Sequence, residues 1–190
     1  PASISGDAQT QPLRQWSLDN FGEDLLALPK EGRLYVWDES VGTGTRAVVV
    51  STAPSAYNFM FVSQQDRHVI CLGTHGVASG FDPMLVRWSD QNDYTNWNVN
   101  VSSTSGENQL GDGSELITGL NTRNQSLIWT DNAVHAMEFV GPPFIFNFRQ
   151  LGSNCGIAGQ HAAIELDGRI FWMGAKDFFV YDGAVKNLPC

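Results

Sequence analysis

DLLALPKEGRLYVW, residues 24–37, places two short apolar runs on either side of a polar turn, and the second run ends in a tryptophan. The same order recurs three times further along the chain, where residues 84–88, 127–129 and 170–172 form the runs that end in tryptophan. The four tryptophans are 51, 41 and 43 residues apart: Trp37, Trp88, Trp129 and Trp172. A period of this length indicates a repeated structural unit.

The length of the apolar runs predicts strands. They are short, rich in β-branched and aromatic residues, and separated by turn-forming residues. Each repeat reads as a strand, a turn, a strand with the tryptophan, a second turn and a further strand, which is clearest at residues 133–140 and 178–181. The best helical candidate, residues 18–28, contains Gly22 and is followed by Pro29. We therefore predict an all-β chain with very little helix.

The spacing of the repeats favours β-propeller blades. A unit of about 40 to 50 residues with three or four strands is typical of a propeller blade and not of an immunoglobulin-like sandwich. One tryptophan per unit suits this architecture, because a large flat side chain fills the space between neighbouring sheets. We assign Trp37, Trp88, Trp129 and Trp172 to the repeat core of about four blades. The alternative is that each tryptophan is an ordinary core residue of an unrelated β fold.

The repeats also suggest the domain organisation. Residues 16–190 are assigned to propeller blades, and residues 1–15 to an N-terminal arm or linker. Trp16 is similar to the tryptophan of a preceding blade whose first strand is missing. We expect part of a larger ring rather than a small four-bladed one, and hence a segment of a longer protein.

The charge of the chain argues against a nucleic-acid-binding protein. It has 11 Lys and Arg against 20 Asp and Glu, a formal net charge of −9, and its basic residues form no cluster. Tight binding to nucleic acid depends on such clusters, whereas an acidic wall repels DNA and lets it pass. No apolar run approaches the roughly 20 residues that span a bilayer, so no membrane association is predicted.

Residues that could carry catalysis or hold a metal lack the necessary spacing. The four histidines are scattered: His68, His75, His135 and His161. Residues 90–94, DQNDY, begin like a calcium loop but place Tyr94 where a third oxygen ligand belongs. There is no phosphate loop and no nucleophile elbow, and no carboxylate pair stands out as that of a glycosidase. We predict a non-enzymatic protein with no catalytic residue, cofactor or metal.

An aromatic connection is the best candidate for a partner contact. Residues 141–148, GPPFIFNF, form a stiff, proline-set crossing after the third repeat. Its phenylalanines either bury under the next blade or face a partner chain, and burial is the favoured interpretation. The candidate partner-contact residues are Pro142, Pro143, Phe144, Phe146 and Phe148.

Several strings together resemble phage virion proteins of the tail-nozzle or packaged-DNA-stabilisation type. They are RWSDQNDYTNW at 87–97, LIWTD at 127–131, VGPPF at 140–144, FWMG at 171–174 and FVYDG at 179–183. The resemblance covers most of residues 85–190. It implies a β-propeller in a homo-oligomeric ring near the end of a phage tail, joined to adjacent tail proteins and surrounding the channel used in DNA ejection. In that setting DNA is only passing cargo, and the family has no catalytic residues.

Two other classes of function stay open. In a carbohydrate-binding or carbohydrate-active propeller, Trp97 and Tyr94 would line a sugar site together with carboxylates from the loops. A cellular interaction scaffold built from repeats would not need the virion-like strings.

Overall fold

The chain folds into β-sheets. A computed structural model describes residues 15–189, in which sixteen β-strands and one 3₁₀ turn, Glu39–Val41, make up the regular structure. The strands form four antiparallel sheets of four strands each. The predicted all-β class with very little helix is therefore confirmed. The predicted N-terminal arm, residues 1–15, lies outside the described residues except for Gln15.

Each sheet is a meander of four consecutive strands. Sheet 1 contains Trp16–Phe21 (β1), Asp24–Pro29 (β2), Tyr35–Trp37 (β3) and Val48–Val49 (β4). Sheet 2 contains Tyr57–Val62 (β5), Val69–His75 (β6), Phe81–Trp88 (β7) and Gly106–Gln109 (β8). Sheet 3 contains Leu116–Asn121 (β9), Ser126–Thr130 (β10), Ala133–Gly141 (β11) and Ile145–Ser153 (β12). Sheet 4 contains Ala163–Leu166 (β13), Arg169–Met173 (β14), Phe178–Tyr181 (β15) and Val185–Leu188 (β16).

The tightest hairpin shows how turn chemistry sets the register. Asp167 and Gly168 connect β13 to β14 and both have positive φ, 51° and 76°. Two such residues in succession form a turn whose twist matches the twist of the flanking strands, and Asp-Gly is a favoured pair for it. The register Leu166↔Arg169 follows directly.

Three hydrophobic clusters join the sheets face to face. The first contains Leu26 of sheet 1 and Met60 of sheet 2, the second Phe61 of sheet 2 and Ile128 of sheet 3, and the third lies between sheets 3 and 4. Sheets 2 and 3 are thus covered on both faces. Because both faces need apolar residues, β5 is buried at every position. β1 instead alternates between buried and exposed positions.

The first strands of sheets 1, 2 and 3 lie side by side, and side chains of β1 and β9 occupy the free edge of β5. Ser17 accepts a hydrogen bond from the Met60 amide at 3.2 Å, and Asp19 accepts one from the Val62 amide at 2.7 Å. From sheet 3, the side-chain amide of Asn121 in β9 donates to the Val62 carbonyl at 2.7 Å. Unpaired strand edges invite aggregation, and these contacts remove that liability from the middle of the stack.

Close packing between sheets 2 and 3 leads to a first prediction. A Cβ atom at Gly119 would lie 2.3 Å from Cε1 of Phe61. We expect Gly119→Ala to lower the free energy of unfolding by about 1–3 kcal/mol, because the ring must move in a packed interface. Chemical denaturation measures the change. The matched control is Gly111→Ala, where a Cβ would meet nothing within 4 Å. Equal stability of both variants would contradict the described packing.

The four repeat-core tryptophans occupy different positions in their sheets. Trp37 and Trp88 lie in the third strands of sheets 1 and 2, whereas Trp129 and Trp172 lie in the second strands of sheets 3 and 4. Trp88, Trp129 and Trp172 are buried, and Trp37 is half-buried. The tryptophan spacing therefore predicts the four sheets, but the four tryptophans do not lie in the same strand of each sheet.

Two details of the sequence interpretation are wrong. Trp16 does not end an earlier unit, because it begins β1 and pairs with Pro29 of β2. The segment 141–148 is not a crossing to the next sheet. It contains the turn between β11 and β12, with Phe139 paired to Phe146. The spacing of apolar runs does not distinguish a turn within a sheet from a connection between sheets.

Candidate functional site

The outer face of sheet 4 carries apolar side chains that no other sheet covers. Trp172 and Phe179 point towards sheet 3, where they join its cluster, so their strand neighbours face outwards. An open groove of about 410 Å³ at this sheet is lined by Ala162, Trp172 and Phe179 and by six further apolar residues: Ile164, Phe171, Met173, Phe178, Leu188 and Pro189. A solvated sheet face is normally polar, so this apolar face is a candidate binding surface.

The outer face of sheet 1 has the same character. Ser17 faces sheet 2 through its bond to Met60, so Trp16 and Leu18 project to the opposite side, where both are exposed. Trp37 lies on this side as well, since its neighbour Val36 belongs to the cluster with sheet 2. The two outer faces, at the two ends of the stack, are the candidate functional surfaces.

The aromatic turn splits the five candidate partner-contact residues into two groups. Pro142, Pro143 and Phe144 form an exposed tip, and Phe144 is 78% exposed. Phe146 is buried, and Phe148 packs against the cluster between sheets 2 and 3. The structure thus leaves Phe144 and the two prolines free for a partner.

The loop after Trp88 is organised around one carboxylate. Asp90 accepts hydrogen bonds from the Gln91 and Thr104 amides at 2.9 and 2.8 Å, from the Thr104 hydroxyl at 2.6 Å and from the Asn96 side chain at 2.8 Å. The calcium-like string is therefore a hydrogen-bonded loop. Among residues 15–189 no three His, Cys, Asp or Glu side chains form a group that could hold a metal ion.

Trp97 and Tyr94, the two aromatic residues proposed for a sugar site, belong to this loop, and both pack against other residues of the chain. Trp97 is buried in the cluster between sheets 1 and 2, and its indole N–H donates to the Tyr94 carbonyl at 2.8 Å. The Tyr94 ring packs edge-on against Phe21, 5.3 Å between centroids. The buried Trp97 ring therefore presents no free face for stacking on a sugar, whereas Tyr94 is only partly buried.

Asp90 gives the second prediction. Partial burial acts to raise the pKa of Asp90, but the hydrogen bonds from Thr104, Gln91 and Asn96 outweigh it, so the pKa lies below the usual 3.8. A carboxylate with a lowered pKa stabilises the fold above its unfolded pKa, and that contribution disappears as the pH falls through its folded pKa. We expect Asp90→Asn to cost about 1.5 kcal/mol at pH 7. The difference from the unaltered chain should shrink as the pH drops below about 4.

Urea denaturation from pH 7 to pH 3 measures this difference. Asp177→Asn is the matched control, because Asp177 is exposed in the turn between β14 and β15 and lies outside the Asp90 loop. A cost for Asp90→Asn that stays constant down to pH 3 would contradict the role of the charged form.

A second polar array was missed by sequence reasoning. His68 is fully buried, with Nδ1 2.9 Å from an Asp66 oxygen and Nε2 3.0 Å from the Thr104 hydroxyl oxygen. The order Asp, His, Thr has the form of a hydrolase triad. Here the Thr104 hydroxyl donates to Asp90, and it accepts from the Gln91 amide at 2.8 Å. The array ties the loop after β5 to the loop after β7. The sequence signal, Asp66 two residues before His68, is too common to reveal it.

The Asp112 carboxylate likewise has a structural role. Its carboxylate accepts hydrogen bonds from Ser153, Gln150 and Asn132, which connect the entry to sheet 3 with the end of β12. The Ser153 bond is the largest of the contributions that lower the pKa of Asp112.

Comparison with known proteins gives the fold and no family. No protein-family model matches the chain, and no curated protein matches it. Among solved structures 22 chains match. One is the crystal structure of a computationally designed protein, Ika4, with a TM-score of 0.50 and 15% sequence identity. The match covers 98% of this chain and 94% of that chain, so the likeness runs through all four sheets. In the described residues no helix is long and apolar enough to span a membrane.

Proposed function

We propose that this chain is a structural component of a phage tail, in a homo-oligomeric ring that surrounds the DNA exit channel and joins adjacent tail proteins. The observation that carries the proposal is the pair of uncovered apolar faces at the two ends of the stack. Exposed apolar sheet faces of this kind are unfavourable in water, which supports contact with a further protein surface. The virion-like strings suggest the particle in which the assembly takes place.

We further propose that the four sheets are consecutive blades of a β-propeller. Three features support this interpretation: each sheet is a four-stranded meander, neighbouring sheets pack face to face, and β1, β5 and β9 lie side by side. In a propeller the blades are arranged radially around a central channel. On this view Trp88, Trp129 and Trp172 are wedge-filling residues between blades, whereas Trp37 lies on the outer face of sheet 1.

DNA would be a passing cargo in this assembly. The net charge of −9 opposes retention of a polyanion, and the 11 basic residues of the chain are outnumbered nearly two to one. Transient passage requires a surface that does not bind phosphate tightly. A non-enzymatic role with no cofactor follows from the same proposal.

Cryo-electron microscopy of purified phage particles from the source tests the assignment. We expect density for this chain in a symmetric ring at the tail, with the channel enclosed. Density for the chain elsewhere in the particle would overturn the proposal. So would mass spectrometry of the particle proteins that does not detect the chain. An isolated chain with a sugar held by exposed aromatics, found by a glycan-array screen followed by structure determination, would favour the carbohydrate-binding alternative.

A further inference from the structure

A buried series of hydrogen bonds connects two loops at one end of sheet 2. It runs from Asp66 through His68 and Thr104 to Asp90, so the imidazole of His68 lies in its middle. The side chains of His68 and Asp66 are 0% and 3% exposed. The number of hydrogen atoms that these contacts require indicates the charge of the imidazole.

The Thr104 hydroxyl has a single hydrogen, and Asp90 accepts it. The two oxygens are 2.6 Å apart, and Asp90 is ionised at neutral pH because its pKa lies below the usual 3.8. An ionised carboxylate only accepts hydrogen bonds. The two acceptor positions of the Thr104 oxygen face the Gln91 amide at 2.8 Å and Nε2 of His68 at 3.0 Å. Nε2 must therefore carry a hydrogen.

The other ring nitrogen of His68 faces a second carboxylate. Nδ1 lies 2.9 Å from one oxygen of Asp66, and the other oxygen of Asp66 accepts a hydrogen bond from the Ser63 hydroxyl. As an ionised carboxylate that accepts at both oxygens, Asp66 requires a hydrogen on Nδ1. Each nitrogen of the ring then has a hydrogen and an acceptor.

We propose that His68 is held as an imidazolium, which donates from Nδ1 to Asp66 and from Nε2 to Thr104, so that the contact between the two loops depends on a proton. A neutral imidazole has one N–H and satisfies only one of these two contacts. Loss of the proton would place the Nε2 lone pair against an oxygen that has no hydrogen to offer. This inference goes beyond the proposed function and does not depend on it.

The groups around the imidazole are compatible with a positive charge. Asp66 balances the charge within hydrogen-bonding distance, as a buried ion requires, and Asp90 lies one hydroxyl further away. From sheet 3, the uncharged rings of Phe146 and Phe139 meet the imidazole with centroids 5.1 and 5.8 Å away. Arg67 points towards sheet 1, where its guanidinium lies 5.0 Å from the centre of a phenylalanine ring.

The proton affects residues 89–105, the longest connection between strands within residues 15–189. Thr104 belongs to this loop, whereas His68 belongs to the turn before β6. When the pH rises far enough to remove the proton, the contact between His68 and Thr104 is lost. Other anchors of the loop do not need the proton, such as the bond from the Asn92 amide to the Arg67 carbonyl at 3.0 Å. The array is therefore a pH-sensitive anchor that weakens without releasing the whole loop.

Nitrogen NMR of the histidine rings at about pH 8 tests the proposal, because a histidine in an unfolded chain is mostly neutral at that pH. We expect both nitrogens of His68 to carry hydrogens in the folded chain, and the ring to be neutral when urea unfolds the chain. In Thr104→Val, which removes the acceptor, one nitrogen only should carry a hydrogen. Thr95→Val is the matched control, since the Thr95 hydroxyl also donates to an aspartate, Asp93, at 2.6 Å but lies outside the array.

The pH dependence of unfolding provides a second measurement. With His68 as an imidazolium, the folded chain binds one proton more than the unfolded chain above about pH 6.5, so raising the pH favours unfolding. Between pH 7 and pH 8, the unfolding equilibrium constant from urea denaturation should rise about tenfold more in the unaltered chain than in Thr104→Val. Thr104→Ser keeps the hydroxyl and should restore the pH dependence of the unaltered chain.

A His68 ring with an unprotonated nitrogen in the folded chain at pH 8 would overturn the proposal. An unprotonated Nε2 would mean that Thr104 donates to His68, and an unprotonated Nδ1 would mean that Asp66 holds the proton. The same pH dependence in the unaltered chain and in Thr104→Val would also contradict it. If Thr104→Val does not fold, the NMR result on the unaltered chain decides alone.

Discussion

Replacing Trp129 by alanine is expected to lower the free energy of unfolding by about 3–5 kcal/mol, measured by chemical denaturation. Trp129 is fully buried between sheets 3 and 4, where it contacts Trp172 and belongs to the cluster that joins the two sheets. Removing the indole leaves a cavity that the paired strands on both sides cannot close. The loss therefore includes both the burial of the ring and the contacts of the cavity wall.

Two further variants separate this effect from the general loss of an aromatic residue. Trp16→Ala removes an exposed indole from the outer face of sheet 1 and should change stability by less than about 1 kcal/mol in the monomer. Trp129→Phe should cost less than Trp129→Ala, because the indole nitrogen has no hydrogen-bond partner in the described part of the chain. A cost for Trp16→Ala that equals the cost for Trp129→Ala would mean that the stacking of sheets 3 and 4 is described wrongly.

The four-sheet organisation could be predicted because it depends on local sequence features. Apolar runs of strand length and turn signals such as Asp167-Gly168 specify meanders without knowledge of the tertiary fold. The number of strands in each sheet was harder to predict from the sequence. Strand β8, Gly106–Gln109, has the sequence GENQ and no apolar pattern, and it is a strand only because it pairs with β7. Tertiary pairing overrides local preference in such edge strands.

The candidate surfaces could be predicted only in part. The aromatic turn is visible in the sequence as a run of phenylalanines, but its division into buried and exposed rings depends on the register of β11 and β12. The outer faces of sheets 1 and 4 were not identified, because apolar residues there look the same in sequence as those covered by a neighbour. Trp16 and Trp129 are both strand tryptophans, and only the stacking of the sheets exposes one and buries the other.

The aromatic turn provides the last prediction. Phe146→Ala is expected to lower the free energy of unfolding by about 3–5 kcal/mol, whereas Phe144→Ala should change it by no more than about 0.5 kcal/mol. The Phe146 ring packs against His68, Trp88 and Phe139, with centroid separations of 5.1, 5.2 and 5.6 Å. It therefore holds the hairpin of sheet 3 against sheet 2. Phe144, two residues earlier, projects from the tip of the turn.

Comparing Phe144→Ala with Phe146→Ala tests whether the tip of the turn contacts a partner. If Phe144→Ala leaves the stability unchanged but weakens incorporation of the chain into particles, the exposed tip is a partner contact and Phe146 is its structural support. Denaturation of both variants, together with a pull-down of tail proteins by the folded Phe144→Ala chain and by the unaltered chain, distinguishes the two roles. A large loss of stability in Phe144→Ala would instead place its ring in the core, and the tip would then have no free aromatic to offer a partner.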